Sequence, residues 1–392
     1  MPTLSHRTER FTDSVIRRMT RVSLKYGAIN LSQGFPDFDP PAVITDRLAQ
    51  VAHDGPHQYA LTWGAQNFRE ALAAKQRPRM GIDINPDTNI VVTCGSTEAM
   101  MCAVMSVVDP GERVVVFSPF YENYGADAIL CGATPTYVTL HAPVFSFDEA
   151  ELEAACALPD TKALILCNPS NPTGHVFALA ELQAIARMAE KYDLFVITDE
   201  VYEHIVYAPH RHVYFASLPE MAERTLSCSS LSKTYSMTGW RLGYVIAPAE
   251  VIDRAKKVHD FLTVGAAAPL MEAAVAGLTL PASYYEDLTA LYTHKRELFC
   301  TGLRDLGFRI VEPQGAYYVM ADVSAAEAEL GYTDDEAFAV DLCRKVGVAT
   351  VPGNCFFAGD EYHFVRFHFA KSDELLGQAL DALDGWQEKM QA

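Results

Sequence analysis

Residues 179–202 read LAELQAIARMAEKYDLFVITDEVY. In the first half, Leu182, Ile185, Ala186 and Ala189 follow the i, i+3, i+4, i+7 spacing of one apolar helix face, which predicts a helix over Leu179–Lys191. In the second half, 194–198 is a short, uniformly apolar run, as expected of a strand covered on both faces rather than one with a wet side. A helix feeding straight into a doubly covered strand is the repeating unit of an α/β sheet. An acid, Asp199, stands where that strand stops.

Similar apolar runs recur on either side of this unit, at 90–93, 113–117, 163–167, 225–229 and 244–247, with helical stretches between them. The expected fold class is therefore α/β: a mostly parallel central sheet with helices on both faces. The C-terminal third has a different pattern. A helical run over 283–306 is closed by Gly307. A strand-like piece at 316–321 follows, then a polar helix at 334–346 closed by Gly347, a strand at 363–370 and a last amphipathic helix at 373–387. This predicts a smaller α+β domain over 281–392, a large domain over 41–280, and an N-terminal arm over 1–40 that joins the small domain.

The 392 residues carry 31 Lys+Arg against 50 Asp+Glu, a formal net charge of −19, and 49% of them are hydrophobic. Such a composition builds a large core and excludes a disordered chain. The negative field opposes nucleic-acid phosphates and anionic lipid, and no basic cluster counters it. The densest, 254–257, is interrupted by Ala255 and reads as a solvated helix face. No run reaches the roughly 18 apolar residues that span a bilayer, and the polar start at 1–10 is not that of a secretion signal. Nine cysteines lie scattered from Cys94 to Cys355 without a Cys-x-x-Cys pair, so neither a disulfide framework nor a metal site is expected and a reducing, cytoplasmic setting is. His210-Arg211-His212, after Pro209, reads as a surface turn.

In a parallel α/β sheet, ligands gather at the carboxyl ends of the strands, and the loops there are unusual. After Thr93 come Gly95, Ser96 and Thr97, opening a helix with free N–H groups and two hydroxyls. That suits a phosphate, although the same residues also serve as an ordinary N-cap. After Cys167 comes Asn168-Pro-Ser-Asn171-Pro-Thr-Gly174, whose Asn-Pro bonds can be locked cis and aim an amide at a ligand, or simply make a tight turn. Asp199 and Tyr202 put an acid and a phenol at the next strand end. A carboxylate buried there needs a cation, unless Asp199 only caps a helix. Lys233, in Ser230-Leu-Ser-Lys-Thr234, can become a nucleophilic amine by desolvation, and Arg241 lies within reach of an anion; alone, Lys233 also reads as a surface lysine. Together these groups match the phosphate, phenolate, ring nitrogen and aldehyde of pyridoxal 5′-phosphate.

The Asn-Pro-x-Asn-Pro-Thr-Gly, Asp-Glu-Val-Tyr, Ser-Leu-Ser-Lys-Thr and Thr-Gly-Trp-Arg-Leu-Gly segments resemble, in order and spacing, those of the class I/II aminotransferases of pyridoxal phosphate fold type I, across nearly the whole chain. The resemblance implies a transaminase in which Lys233 carries the cofactor as a Schiff base and shuttles the proton, and Asp199 holds the ring nitrogen. Asn171 and Tyr202 would bond the phenolate oxygen, and Gly95, Ser96, Thr97, Ser230 and Arg241 the phosphate. Tyr121 would stack on the ring, and Tyr59 would reach the phosphate of a neighbouring subunit, giving a homodimer with shared sites. Arg366 would grip the substrate α-carboxylate, under a covering segment that contains Gly34 and Phe35.

Residues 29–38 and Gln58-Tyr59 are more similar to the branch of kynurenine, glutamine–phenylpyruvate and methionine aminotransferases. Dicarboxylate-specific relatives carry a cation for the distal carboxylate, and 97–99 and 261–268 hold none here. The implied substrate is an L-amino acid of aromatic, methionine, glutamine or kynurenine type, with a 2-oxo acid as acceptor and with Phe35, Trp63, Phe261 and Phe356 as candidate pocket aromatics. The alternatives are a C–S β-lyase or an aspartate-type transaminase on the same fold.

Overall fold

The computed structural model describes residues 2–11, 13–359 and 363–391. Met1, the first residue of the polar start, lies outside the described residues, and every expected site residue lies within them. The strands in chain order are β1 (Ile29–Asn30), β2 (Ile90–Thr93), β3 (Arg113–Ser118), β4 (Thr134–Thr139), β5 (Thr161–Cys167), β6 (Phe195–Asp199), β7 (Thr225–Ser230), β8 (Gly243–Ile246), β9 (Arg309–Val311), β10 (Tyr318–Asp322), β11 (Val348–Ala349), β12 (Val351–Pro352) and β13 (Phe364–His368).

The central sheet has seven strands in the order β2-β8-β7-β6-β5-β3-β4. Every neighbouring pair is parallel except those made by β8, which runs antiparallel to β2 and β7. Alternate strand residues feed two separate cores. Leu164, Leu166 and Val196 pack with Leu182, Ile185 and Ala189 of the helix Leu179–Lys191. Ala163, Ile165 and Ile197 pack with Ala99, Met100 and Ala103 of the helix Ser96–Val107. Both faces are dry, which is why these strands are uniformly apolar.

The sequence reading has no counterpart for the short strands β1, β9, β11 and β12, nor for β4. Strand β4 alternates polar residues and contains Pro135, a pattern that an edge position tolerates because its outer N–H needs no ladder partner. The polar helix expected at 334–346 is a helix over Asp335–Asp341 followed by a π turn over Leu342–Val346, and the helix expected at 373–387 is two, Asp373–Leu383 and Trp386–Gln391, parted at Gly385 with φ 62°. The expected surface turn at His212 buries its imidazole beside Glu200, 3.7 Å away.

A second sheet, antiparallel in the order β12-β13-β10-β9, carries the helix Ala282–Asp305, which starts after Pro281, and the helix Asp373–Leu383. The first helix, Val15–Tyr26, is capped by Ser14, and its Ile16 and Met19 pack in the same core as Leu342 and Val348. The chain then pairs β1 with β11 in parallel, which draws residues 32–35 across the carboxyl ends of the central strands. Among the described residues no helix is long and apolar enough to cross a membrane.

Candidate active site

The carboxyl ends of β2, β6 and β7, the loop 168–174 and the segment 33–35 enclose a cavity of about 940 Å³. Of the expected site residues, Gly34, Phe35, Ser96, Thr97, Tyr121, Asn171, Asp199, Tyr202, Lys233, Arg241 and Arg366 line it. They come from stretches up to hundreds of residues apart and meet because parallel strands end together, with Gly34 and Phe35 brought in by the segment after β1 and Arg366 by β13 of the second sheet.

The anion end is built by close backbone approach. Gly95 sits at φ 86° and ψ 171° directly before the helix Ser96–Val107, and a Cβ there would collide with the Arg241 guanidinium. A Cβ on Gly243 would strike the backbone of Gly95 and Ser96. Two glycines thus clear the space between the helix N-terminus and Arg241, leaving N–H groups, the Ser96 and Thr97 hydroxyls and a guanidinium around one point. Arg241 is held by bonds to the carbonyls of Thr238 (3.0 Å) and Cys94 (3.4 Å). Ser230 is buried at the end of β7 and accepts the Ser232 N–H (3.3 Å), so it shapes the loop to Lys233 without lining the cavity.

Lys233 donates to the Gly34 carbonyl (3.3 Å), and its Nζ lies 5.9 Å and 5.6 Å from the ring centres of Tyr202 and Tyr317. Desolvation pushes its pKa down to about 8; Asp199 opposes this, and Arg241 and Arg366 reinforce it. Asp199 is buried, accepts the Tyr124 hydroxyl (2.8 Å) and the Val201 N–H (3.3 Å), and makes no ion pair among the described residues. Burial raises its pKa, against those hydrogen bonds and Lys233. Arg366 is fully buried. It donates to Asn171 Oδ1 (2.6 Å) and the Ser32 carbonyl (2.8 Å) and lies between the rings of Tyr318 and Phe356; among the described residues its Nε has no partner and no carboxylate pairs with it. Both Asn-Pro bonds of the 168–174 loop are cis.

Several supporting groups have no motif to announce them. Tyr124 orients Asp199, Tyr318 bonds the Tyr202 hydroxyl (2.9 Å), and Tyr317 bonds the Gly34 carbonyl (2.9 Å). Other expectations fall away from this cavity. Tyr59 is 86% exposed and lies outside it. Of the four candidate aromatics only Phe35 lines it. Phe261 is 91% exposed, Phe356 is buried beneath Arg366, and the Trp63 ring lies under Lys256 (4.8 Å).

A buried acid without a cation and a buried guanidinium without an acid, in one cavity, are each costly unless a ligand completes them. Pyridoxal phosphate fits these groups: its ring nitrogen would supply a cation for Asp199, its phosphate would suit the glycine-cleared cradle, and its aldehyde would suit an amine of lowered pKa. Residues 26–383 match the family described as aminotransferase class I and II. The chain belongs to that family. A probable N-succinyldiaminopimelate aminotransferase of Mycobacterium tuberculosis is 35% identical over 97% of each chain. The solved structure of the N-succinyldiaminopimelate aminotransferase from Mycobacterium tuberculosis superposes with a TM-score of 0.93, covering 98% of this chain and 100% of that one. The Escherichia coli methionine aminotransferase is 35% identical over 94% of this chain and 95% of its own. The kynurenine–oxoglutarate transaminase of Dictyostelium discoideum is 33% identical over 97% and 95%. The expected fold and reaction class are borne out: the protein is a fold type I aminotransferase that uses pyridoxal phosphate to move an amino group from an amino acid to a 2-oxo acid in two half-reactions.

Proposed function

We propose that the amino donor is an L-amino acid with an aromatic, thioether or amide side chain, of the phenylalanine, kynurenine, methionine or glutamine type. The observation that carries this reading is that Ile16, Phe35 and Tyr121 give the cavity that holds Arg366 and Lys233 an apolar part of its lining. The names of the methionine and kynurenine relatives support it.

Bound here, pyridoxal phosphate supplies an electron sink for the pair left behind when the α-proton departs. The chain's residues do the rest. Arg366 takes the α-carboxylate through its planar fork, replacing the neutral Asn171 and Ser32 oxygens with a charge partner. Asp199, held by Tyr124, keeps a proton at the ring nitrogen. Lys233 is the residue for covalent attachment. Once freed it accepts the α-proton and returns it, a task suited to an amine whose pKa of about 8 lies near working pH. Tyr202 and Asn171 would hold the phenolate oxygen, and Gly95, Ser96, Thr97 and Arg241 the phosphate, with Ser230 acting through the loop to Lys233 and not by contact.

The working unit in this reading is a homodimer in a reducing, cytoplasmic setting. Tyr59, Leu61, Phe261, Leu262 and Val264 are exposed apolar residues on two segments that His259 ties together through the Thr62 carbonyl (2.9 Å), a surface suited to a second copy of the chain. All nine cysteines are free. In the same reading, residues 1–40, 41–280 and 281–392 act as arm, cofactor-binding domain and small domain. The test is to mix cofactor-loaded protein with single amino acids and follow conversion to the pyridoxamine form. Methionine, phenylalanine, kynurenine or glutamine should react faster than aspartate; faster reaction with aspartate overturns the donor assignment. Release of pyruvate and ammonia from a cysteine conjugate without an oxo acid would mark a lyase instead.

A further inference from the structure

Beside the phosphate cradle, two helices present matched pairs of side chains to each other. The helix Ser96–Val107 sets Glu98 and Cys102 four residues apart, on one face. The helix Ala249–Thr263 sets His259 and Thr263 at the same spacing opposite them. Glu98 Oε1 lies 2.7 Å from His259 Nδ1 and accepts the Thr263 hydroxyl (2.9 Å), whose oxygen is 3.2 Å from the same Nδ1. The ligand atoms of Glu98, Cys102 and His259 all lie within 4.8 Å of one another. Sequence spacing does not announce this group, because Glu98 and His259 are 161 residues apart.

A buried Glu–His hydrogen bond accounts for two of the three residues. Cys102 is fully buried, and among the described residues its thiol has no hydrogen-bond partner. The surroundings are those of a ligand set. His259 Nε2 lies 2.9 Å from the Thr62 carbonyl, which can only accept, so Nε2 carries a proton and Nδ1 is the nitrogen turned to Glu98 and Cys102. The second Glu98 oxygen accepts the Cys94 N–H. Outer partners of this kind orient metal-bound imidazoles and carboxylates. Cys94, Glu98 and Thr263 line the cofactor cavity, which gives an ion a route in.

We propose that Glu98, Cys102 and His259 form a zinc site that clamps the helix Ser96–Val107, whose N-terminus faces the phosphate, to the helix Ala249–Thr263. One thiolate, one imidazole and one carboxylate are the donor set of tetrahedral Zn²⁺, with the Thr263 hydroxyl or a water in the fourth position. Around such an ion the ligand atoms stand about 3.3–3.5 Å apart, so the Glu98–His259 pair opens by roughly half an ångström and Cys102 closes in. Glu98 is only half-buried in the first turn of its helix, where that movement is easiest. The Cys102 proton leaves to solvent as the ion enters. The two anionic ligands then balance the dication, so the site adds no net charge beside the phosphate.

The test uses cofactor-loaded protein, stripped of metal with a chelator and dialysed, as wild type, Cys102→Ala and Glu98→Gln. Each is titrated with Zn²⁺ and with Mg²⁺ by calorimetry, and the zinc-loaded wild type and Cys102→Ala are compared by X-ray absorption at the zinc edge. Wild type should take up one Zn²⁺ per chain and no Mg²⁺, which prefers oxygen ligands. Its zinc should have one sulfur neighbour at about 2.3 Å. Cys102→Ala should weaken Zn²⁺ at least about 100-fold and remove that sulfur, and Glu98→Gln should weaken it at least about tenfold. No Zn²⁺ uptake by the wild type, equal affinity for Mg²⁺, a zinc without sulfur, a sulfur neighbour that survives Cys102→Ala, or an affinity unchanged in both variants would overturn the proposal.

Discussion

Two buried acids four residues apart, Asp199 and Glu203, are treated in opposite ways by the same fold. Glu203 is surrounded: Lys75 (3.1 Å), Gln76 (3.0 Å) and the hydroxyls of Tyr214 and Tyr244 all bond it. Burial alone would raise its pKa, yet the Lys75 ammonium and these donors hold it well below the usual carboxylate range. Asp199 has one phenol and one N–H and no cation in contact, and burial raises its pKa. The first acid is finished by the chain itself and holds the helix Gln66–Met80 against the loop 200–204. The second is left open. An incompletely paired buried charge is a cost that folding alone gives no reason to keep, so its location marks where a ligand belongs.

Substitutions can break or sharpen this contrast. The largest effect belongs to Lys233→Ala, which should lower transamination about 10³-fold or more and abolish the visible absorbance of covalently attached cofactor; survival of that band would remove Lys233 from its role. Next comes Lys75→Met, which strands Glu203. In urea unfolding of the cofactor-free protein it should cost about 3–5 kcal/mol. Asp199→Asn, by contrast, should leave that stability within about 1 kcal/mol while lowering activity at least about 10²-fold, because it neutralises a charge the empty fold never paired. Similar stability losses for the two variants would erase the distinction. Arg366→Met should raise KM for the amino acid about 10²-fold without destabilising the cofactor-free protein.

The smallest effect is on pH dependence. Lys233 has its pKa lowered to about 8, so its neutral fraction grows as pH rises through that value. Attachment of pyridoxal phosphate to the cofactor-free protein should therefore quicken about tenfold per pH unit below 8 and level off above it. A rate still climbing steeply toward pH 10 would mean an ordinary solvated lysine.

The same contrast explains what the sequence could reveal. Lys233, Asp199, Asn171 and Arg241 lie in local motifs at strand ends, and strand ends are legible because strands buried on both faces are continuous apolar runs. Strand β4 was not legible, since an edge strand with Pro135 carries no such run. Tyr124, Tyr317 and Tyr318 act through tertiary contact alone, and nothing in their neighbours' spacing distinguishes a phenol that orients an acid from one that fills a core. Trp63, Phe261 and Phe356 erred in the other direction, because nearness in sequence to site motifs does not place a ring in the cavity.

The most direct measurement is a crystal structure of the cofactor-loaded protein with a bound, unreactive amino-acid analogue. It should show the ring nitrogen on Asp199 and the analogue's α-carboxylate forked onto Arg366, with Lys75 and Glu203 unchanged. A bound cofactor that leaves Asp199 bonded only to Tyr124 and Val201, or an analogue that leaves Arg366 on Asn171 and Ser32 alone, would contradict the claim that these two unpaired charges define the site.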